Sequence, residues 1–211
     1  MMKFAPEGYP FITVFGLITV TVALFAGILF ALLPFVLTIF MAYFFRDPER
    51  HVPEDKNGFV SPADGKVILI KDVHESEHLG TDMKEVSIFM SPFNVHVNRS
   101  PCNAKVKTVK HTKGRFMAAY KDDASIRNEN IAMVLETKYG DILVRQVAGF
   151  VARRAVCRKK EGDTLNRGER YGMIKFSSRL DIYLPKNTHI MVKIGANVRA
   201  GETILGFFNG I

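Results

Sequence analysis

From Phe11 to Phe45 the chain carries no charged side chain, and this apolar run stops abruptly at Arg46. A straight helix over that run would reach about 52 Å, against a hydrocarbon core of about 30 Å. Gly27 and Pro34 are its natural breaks, because one lacks a Cβ and the other an N–H. The pattern predicts a helical hairpin with passes over roughly 11–27 and 30–45. A single span near 11–33 with an interfacial continuation fits the same residues. The run is too long for a secretory signal and no small-residue cleavage site follows it, so a retained membrane anchor over residues 1–45 is expected.

Beyond Arg46 the period of the pattern changes. Asp47-Pro48-Glu49-Arg50-His51-Val52-Pro53 reads as a linker, its two prolines interrupting any helix. It opens a second domain over residues 46–211. Short β-rich stretches recur there at Lys66–Ile70, Val86–Met90, Ala104–His111, Ala132–Thr137, Ile142–Gly149, Arg179–Leu184 and Ile190–Ile194. Most are bounded by Gly, Pro, Asn or Asp, which predicts a mainly β sandwich or barrel. Only Phe116–Arg127 has a helical character. Lys160-x-Gly162-x-x-Leu165-x-x-Gly168-Glu169 recurs 33 residues later as Lys193-x-Gly195-x-x-Val198-x-x-Gly201-Glu202. Glycines at such fixed points serve tight turns with φ > 0. The repeat resembles the turn–strand–turn unit of biotinyl and lipoyl carrier domains, with their two interlocked hammerhead halves, and implies a pseudo-symmetric β core.

Charge sharpens the division into two parts. Residues 1–45 hold one Lys (Lys3) and one Glu (Glu7), so 28 of the 29 basic and 20 of the 21 acidic side chains lie beyond them. A domain carrying the whole net charge of +8 beside a membrane anchor suggests attraction to anionic lipid. No nucleic-acid-binding motif accompanies the charge, so nucleic acid is not the expected partner. With Lys3, Arg46 and Arg50 flanking the hairpin, its open end and the second domain are expected to face the cytoplasm at the cell membrane. Cys102 and Cys157 are too few for a disulfide framework and have no metal-ligand spacing; two reduced thiols and no metal are expected.

Three clusters offer chemistry. Ser61-Pro62-Ala63-Asp64-Gly65 precedes a strand and reads equally as an Asp-Gly turn. In Asn94-Val95-His96-Val97-Asn98-Arg99 the polar residues alternate with valines, which predicts Asn94, His96 and Asn98 on one strand face. Phe176-Ser177-Ser178-Arg179 lies between the glycine-rich turns and a strand, where paired serines are ordinarily turn residues. An aspartate, a histidine and a serine are the parts of a base-activated nucleophile, although their spacing does not bring them together. A membrane serine hydrolase is one reading, but the Gly-x-Ser-x-Gly elbow is missing. A membrane-anchored, non-catalytic biotinyl-like adaptor is another; it leaves Ser178 and His96 without a role.

The ordered set of motifs then resembles a known family over nearly the whole chain. Glu7-Gly8-Tyr9-Pro10-Phe11, Phe45-Arg46-Asp47-Pro48-Glu49-Arg50, Val60-Ser61-Pro62-Ala63-Asp64-Gly65-Lys66-Val67 and Ile88-Phe89-Met90-Ser91-Pro92 with Val95-His96-Val97-Asn98-Arg99 are followed by Ala148-Gly149, Ala152-Arg153-Arg154, Arg170–Phe176, Ser178-Arg179 and Asp181–Pro185. Together they resemble the short, archaeal-type branch of the phosphatidylserine decarboxylases. The resemblance implies a self-cleaving zymogen, cut between Ser177 and Ser178 into a β chain 1–177 and an α chain 178–211. It implies a pyruvoyl cofactor made from Ser178, which decarboxylates phosphatidylserine to phosphatidylethanolamine through a Schiff base. It further implies His96 as the base, Asp64 as its orienting partner, and Arg99, Arg153 and Arg154 as cations for the lipid phosphodiester. A homodimer is compatible with it. One position departs from the family pattern: Ser177 stands where Phe-Gly-Ser-Arg would have Gly.

Overall fold

The computed structural model describes residues 3–55, 57–114, 128–149, 155–175 and 178–209. The expected helix Phe116–Arg127 lies outside them. The chain divides into two compact units between Glu49 and Arg50, four residues beyond the boundary read from charge.

In the first unit a single 3-10 turn, Pro6–Gly8, leads into helix α1 (Tyr9–Ala26), and Gly27 at φ 93° turns the chain into α2 (Ile28–Phe44). Gly27 is therefore the break, as expected. Pro34 is not: α2 runs through it, and Thr38 Oγ1 donates to the Pro34 carbonyl at 2.8 Å. The helices form a hairpin, with Thr19 Oγ1 3.1 Å from Thr38 Oγ1. Its open end is tied by Ala5 N–H to the Phe45 carbonyl and Asp47 N–H to the Lys3 carbonyl, both 2.8 Å. At 18 and 17 residues the helices are about 27 and 25 Å long, close to the core of a bilayer. Pro6–Ala26 is long and apolar enough to cross a membrane. Around the tip Phe25 and Ile28 are 87% and 82% exposed, which a membrane interior accommodates and water does not.

The second unit is built of strands β1 (Gly58–Val60), β2 (Gly65–Glu75), β3 (Thr81–Met90), β4 (Val97–Arg99), β5 (Ala104–Thr112), β6 (Asn130–Thr137), β7 (Gly140–Ala148), β8 (Ala155–Cys157), β9 (Thr164–Leu165), β10 (Arg170–Ile174), β11 (Ser178–Pro185), β12 (Thr188–Ile190), β13 (Asn197–Val198) and β14 (Ile204–Phe208). An antiparallel sheet of eight strands runs β13-β2-β3-β11-β7-β6-β5-β9, and two three-stranded sheets, β1-β14-β12 and β4-β10-β8, accompany it. The fold is mainly β, as the alternating stretches predicted. Six of the seven predicted strands coincide with β2, β3, β5, β6, β7 and β11. The seventh, Ile190–Ile194, meets only the last residue of β12. Alternation along β11 sends Leu180, Ile182 and Leu184 into the main core with Val86, Ile88, Met90, Leu135 and Val144. Tyr183 packs on the other face against Met83, Ala132, Val134 and Leu143.

The 33-residue repeat is a real structural repeat. Gly162 and Gly195 have φ 88° and 91°, and Gly168 and Gly201 both have φ 77°. Each copy hydrogen-bonds to its own partner segment: Gly162 N–H to Val106 O and Gly168 N–H to Ser100 O, against Gly195 N–H to Val67 O and Gly201 N–H to Ser61 O, all 2.8–2.9 Å. Those partners are themselves related at an offset of 39, Ser61-Pro62-Ala63-Asp64-Gly65-Lys66-Val67 matching Ser100-Pro101-Cys102-Asn103-Ala104-Lys105-Val106. The two segments bond reciprocally, Val60 N–H to Pro101 O (2.9 Å) and Arg99 N–H to Pro62 O (3.0 Å). The two copies are thus held by two related segments that bond reciprocally to each other.

Candidate active site

Antiparallel pairing gathers one end of the large sheet. β2 begins at Gly65, β3 ends at Met90, β11 begins at Ser178 and β7 ends at Ala148; Ser178 is the register partner of both Met90 and Ala148. Ser178 is fully buried, its Oγ 3.4 Å from Met90 Sδ. A thioether is a weak acceptor, so that hydroxyl turns toward a better one at little cost. Asn98 Nδ2 lies 3.9 Å from the same sulfur. Gln146 Nε2 donates to Asn98 Oδ1 at 2.8 Å and to the Val156 carbonyl at 3.3 Å. Gly172 makes this arrangement possible: a Cβ there would fall 2.1 Å from the Val156 oxygen and 3.1 Å from Gln146 Nε2.

His96 is fully buried in the loop just before β4. The expected single strand face for Asn94, His96 and Asn98 is not formed. Only Asn98 is on a strand, and the valines between them are buried too, because β4 is covered on both sides. The His96 carbonyl accepts from Ile174 N–H at 3.3 Å, which sets this loop against the end of β10, four residues before Ser178. His96 Nδ1 is 2.9 Å from the Asn94 carbonyl. A carbonyl only accepts, so Nδ1 carries the proton and Nε2 of the neutral ring is the basic nitrogen. Asn94 is fixed in turn by Ser91, whose N–H and Oγ both donate to Asn94 Oδ1, at 2.9 and 2.7 Å.

Asp64 sits at the start of β2, two strands from β11. Its Oδ1 accepts from Ala200 N–H and its Oδ2 from Arg50 Nη2, both at 2.7 Å. The counterpart of the first bond in the other copy of the repeat is Arg167 N–H donating to Asn103 Oδ1, also 2.7 Å. One oxygen of Asp64 therefore does a turn-holding task that a neutral amide does in the other copy. The negative charge is the feature particular to this one. Arg99 is 5% exposed, and its Nη1 donates to the Gly168 carbonyl at 3.0 Å. Arg153, Arg154 and Ser177 lie outside the described residues.

The cysteines do not compete as nucleophiles. Burial pushes the Cys102 thiol up to about 12 and raises that of Cys157 as well, which keeps both protonated near neutrality. Glu75, Glu77 and His78 bring metal-capable atoms within 4.8 Å of one another. Arg145 and Lys110 already pair with those carboxylates, at 3.3–3.4 Å. Sequence reasoning missed Gln146, Met90 and Arg50. The signal for Gln146 was a polar residue on the face of β7 otherwise made of Ile142, Val144 and Ala148; Arg50 gave none, since a linker arginine ordinarily faces water.

The family model of the phosphatidylserine decarboxylases matches residues 37–206. The chain is 49% identical over 203 residues to the phosphatidylserine decarboxylase proenzyme of Geotalea uraniireducens, covering 96% of this chain and 95% of that one. It is 48% identical to that of Syntrophus aciditrophicus over 206 residues, 97% of each chain. The proenzyme of Citrifermentans bemidjiense is 50% identical over 209 residues, with 96% and 95% covered. With half of all positions identical along almost the full length, this chain belongs to the phosphatidylserine decarboxylase family.

Proposed function

We propose that the protein is a membrane-anchored proenzyme that cuts itself between Ser177 and Ser178 and then decarboxylates phosphatidylserine. The observation that supports this reading is the buried Ser178 hydroxyl at the head of a central strand, with His96, likewise buried, donating its Nδ1 proton to the Asn94 carbonyl and so keeping Nε2 for the base role. His96 Nε2 takes the proton of Ser178 Oγ as that oxygen attacks the Ser177 carbonyl carbon. The peptide C–N bond breaks and an ester forms in its place. Loss of the Ser178 Cα proton then expels residues 1–177 as a carboxylate. Water finally displaces the nitrogen as ammonia, so one water is consumed and the ketone stays on residue 178. The Asp64 carboxylate, at the same end of the sheet, favours the imidazolium formed in the first step.

The site fits such a group: a pyruvoyl keeps Cα and Cβ of Ser178 and replaces nitrogen by oxygen, so it needs no more room than the serine. Its ketone supplies the electron sink that no ordinary side chain offers. The chain's own residues supply the surroundings. Asn98 and Gln146 hold a buried amide network beside residue 178, and His96 in its protonated form carries a proton for return to substrate carbon. Arg153 and Arg154 lie on the connection leaving β7 at Ala148, the register partner of Ser178, which suits them to the lipid phosphodiester. Arg99 supports that end through the Gly168 turn. The hairpin returns both its ends to one side, and Lys3, Arg46 and Arg50 make that side cytoplasmic. The net positive charge of the second unit favours an anionic membrane.

Intact mass and denaturing electrophoresis test the reading. Two fragments are expected, split before Ser178, the smaller with a blocked N-terminus. Ser178→Ala should remain one uncut chain without decarboxylase activity. An uncut wild-type chain with activity, or normal cutting of Ser178→Ala, would refute the assignment. An adaptor or a serine hydrolase would give a single chain.

A further inference from the structure

The outer face of the large sheet carries a charge cluster that the chemistry above does not use. Arg179 is next to Ser178, and strand alternation points it to the opposite face. Its guanidinium is buried: Nε donates to Asp181 Oδ1 at 2.5 Å, and Nη2 donates to Glu85 Oε1 at 3.1 Å and Ser87 Oγ at 2.9 Å. Ser87 Oγ also donates to Glu85 Oε1 at 3.2 Å, and Lys71 Nζ lies 3.2 Å from Glu85 Oε2. Burial opposes the charge on Arg179, but Asp181 and Glu85 outweigh it and hold its pKa above the ordinary value.

We propose that Arg179 is the positioning residue for the mature cofactor, holding residue 178 on the interior face after the chain is cut. The proposal rests on the reading of Ser178 given above. Before cutting, residue 178 is held covalently on both sides. Cutting removes its N-terminal neighbour, and conversion to a ketone removes its backbone N–H, so it loses its own donor to the sheet. Residue 179 becomes the first position with a complete set of anchors, at a strand terminus, where fraying is easiest. A slip by one residue would exchange the two faces of β11 and carry residue 178 away from Met90, Asn98 and Gln146. Such a slip would also drag a buried guanidinium, with Asp181 beside it on the same strand, away from Glu85 and Ser87 on β3. The cluster thus penalises the one movement that would misplace the ketone, and it does so without touching the reacting atoms.

The test uses the full-length, detergent-solubilised protein and three variants: Arg179→Met, Glu85→Gln and Asp181→Asn. The last two keep side-chain shape while removing one charge each. For each, the cut fraction and the pyruvoyl content are read by intact mass. The rate at which phenylhydrazine labels the pyruvoyl and the decarboxylation rate per pyruvoyl are then measured. Arg179→Met is expected to lose about tenfold or more in turnover per pyruvoyl, since displacements near 1 Å cost as much, while phenylhydrazine labels it faster. Glu85→Gln and Asp181→Asn should shift both readouts the same way by less. Turnover per pyruvoyl and labelling rate both unchanged in Arg179→Met would overturn the proposal. So would failure of all three variants to cut, which would assign the cluster to folding of the precursor. If the unmodified chain carries no pyruvoyl, the reading of Ser178 itself fails, and this proposal with it.

Discussion

The two oxygens of Asp64 have separable tasks, and substitution can separate them. The Arg50–Asp64 pair is nearly buried, its side chains 8% and 12% exposed. Removing one partner of a buried pair costs about 3–5 kcal/mol. Arg50 keeps Glu202 at 3.3 Å, so Asp64→Asn belongs near the lower end, about 3 kcal/mol. The new amide nitrogen faces Arg50 Nη2, and that contact is relieved as the guanidinium swings toward Glu202. Asp64→Asn keeps an oxygen for Ala200 N–H, as Asn103 does for Arg167 N–H. Asp64→Ala loses that acceptor too and leaves a buried amide unsatisfied, about 2 kcal/mol more. In a unit of this size each kcal/mol lowers Tm by about 3 °C, giving drops of about 9 °C for Asn and 15 °C for Ala. Asn103→Ala loses the equivalent turn bond where water can replace it, so it should cost about 1 kcal/mol and about 3 °C on the same scale. Thermal unfolding of these variants in the uncut Ser178→Ala background measures all three without interference from processing. Equal losses for Asp64→Asn and Asp64→Ala would refute the division of labour between the two oxygens.

Gly172→Ala should drive β8 away from β10, because the new Cβ meets the Val156 carbonyl at 2.1 Å; a loss of about 3 kcal/mol by thermal unfolding and slower self-cutting are expected. Cys102 should resist iodoacetamide at pH 8 in the folded protein and react in urea, as read by mass. Because folding raises that thiol from 9.0 to about 12, its contribution to stability is complete below pH 9 and is lost as pH rises toward 12. If self-cutting needs backbone angles at residue 177 that only glycine reaches freely, at a cost of about 1–3 kcal/mol to other residues, Ser177→Gly should cut faster than the natural chain at unchanged turnover per pyruvoyl. Equal or slower cutting in a time course would remove that strain argument.

The sequence by itself determined what depends on neighbours along the chain. An uncharged run of that length had to form apolar helix and to break, and Gly27, near its middle, was one of the two breaks on offer, because glycine tolerates a positive φ. The glycines at 162, 168, 195 and 201 announced four turns of positive φ, and alternating apolar residues announced six long strands. Ser178, His96 and Asp64 were legible as chemical parts and through their resemblance to a family. The tertiary structure decided everything that needs a distant partner. Strands as short as β9 and β13 exist only because β5 and β2 lie beside them, too few residues for any period to register. The alternation of Asn94, His96 and Asn98 suggested one strand face, yet packing from both sides buried His96 and Asn98 together with the valines between them. Nothing in the sequence paired Asp64 with Arg50 or Arg179 with Glu85; those partners come from other parts of the folded chain. Burial turns such charges into constraints, since a desolvated ion must be met by a counter-ion, and only the folded chain specifies which.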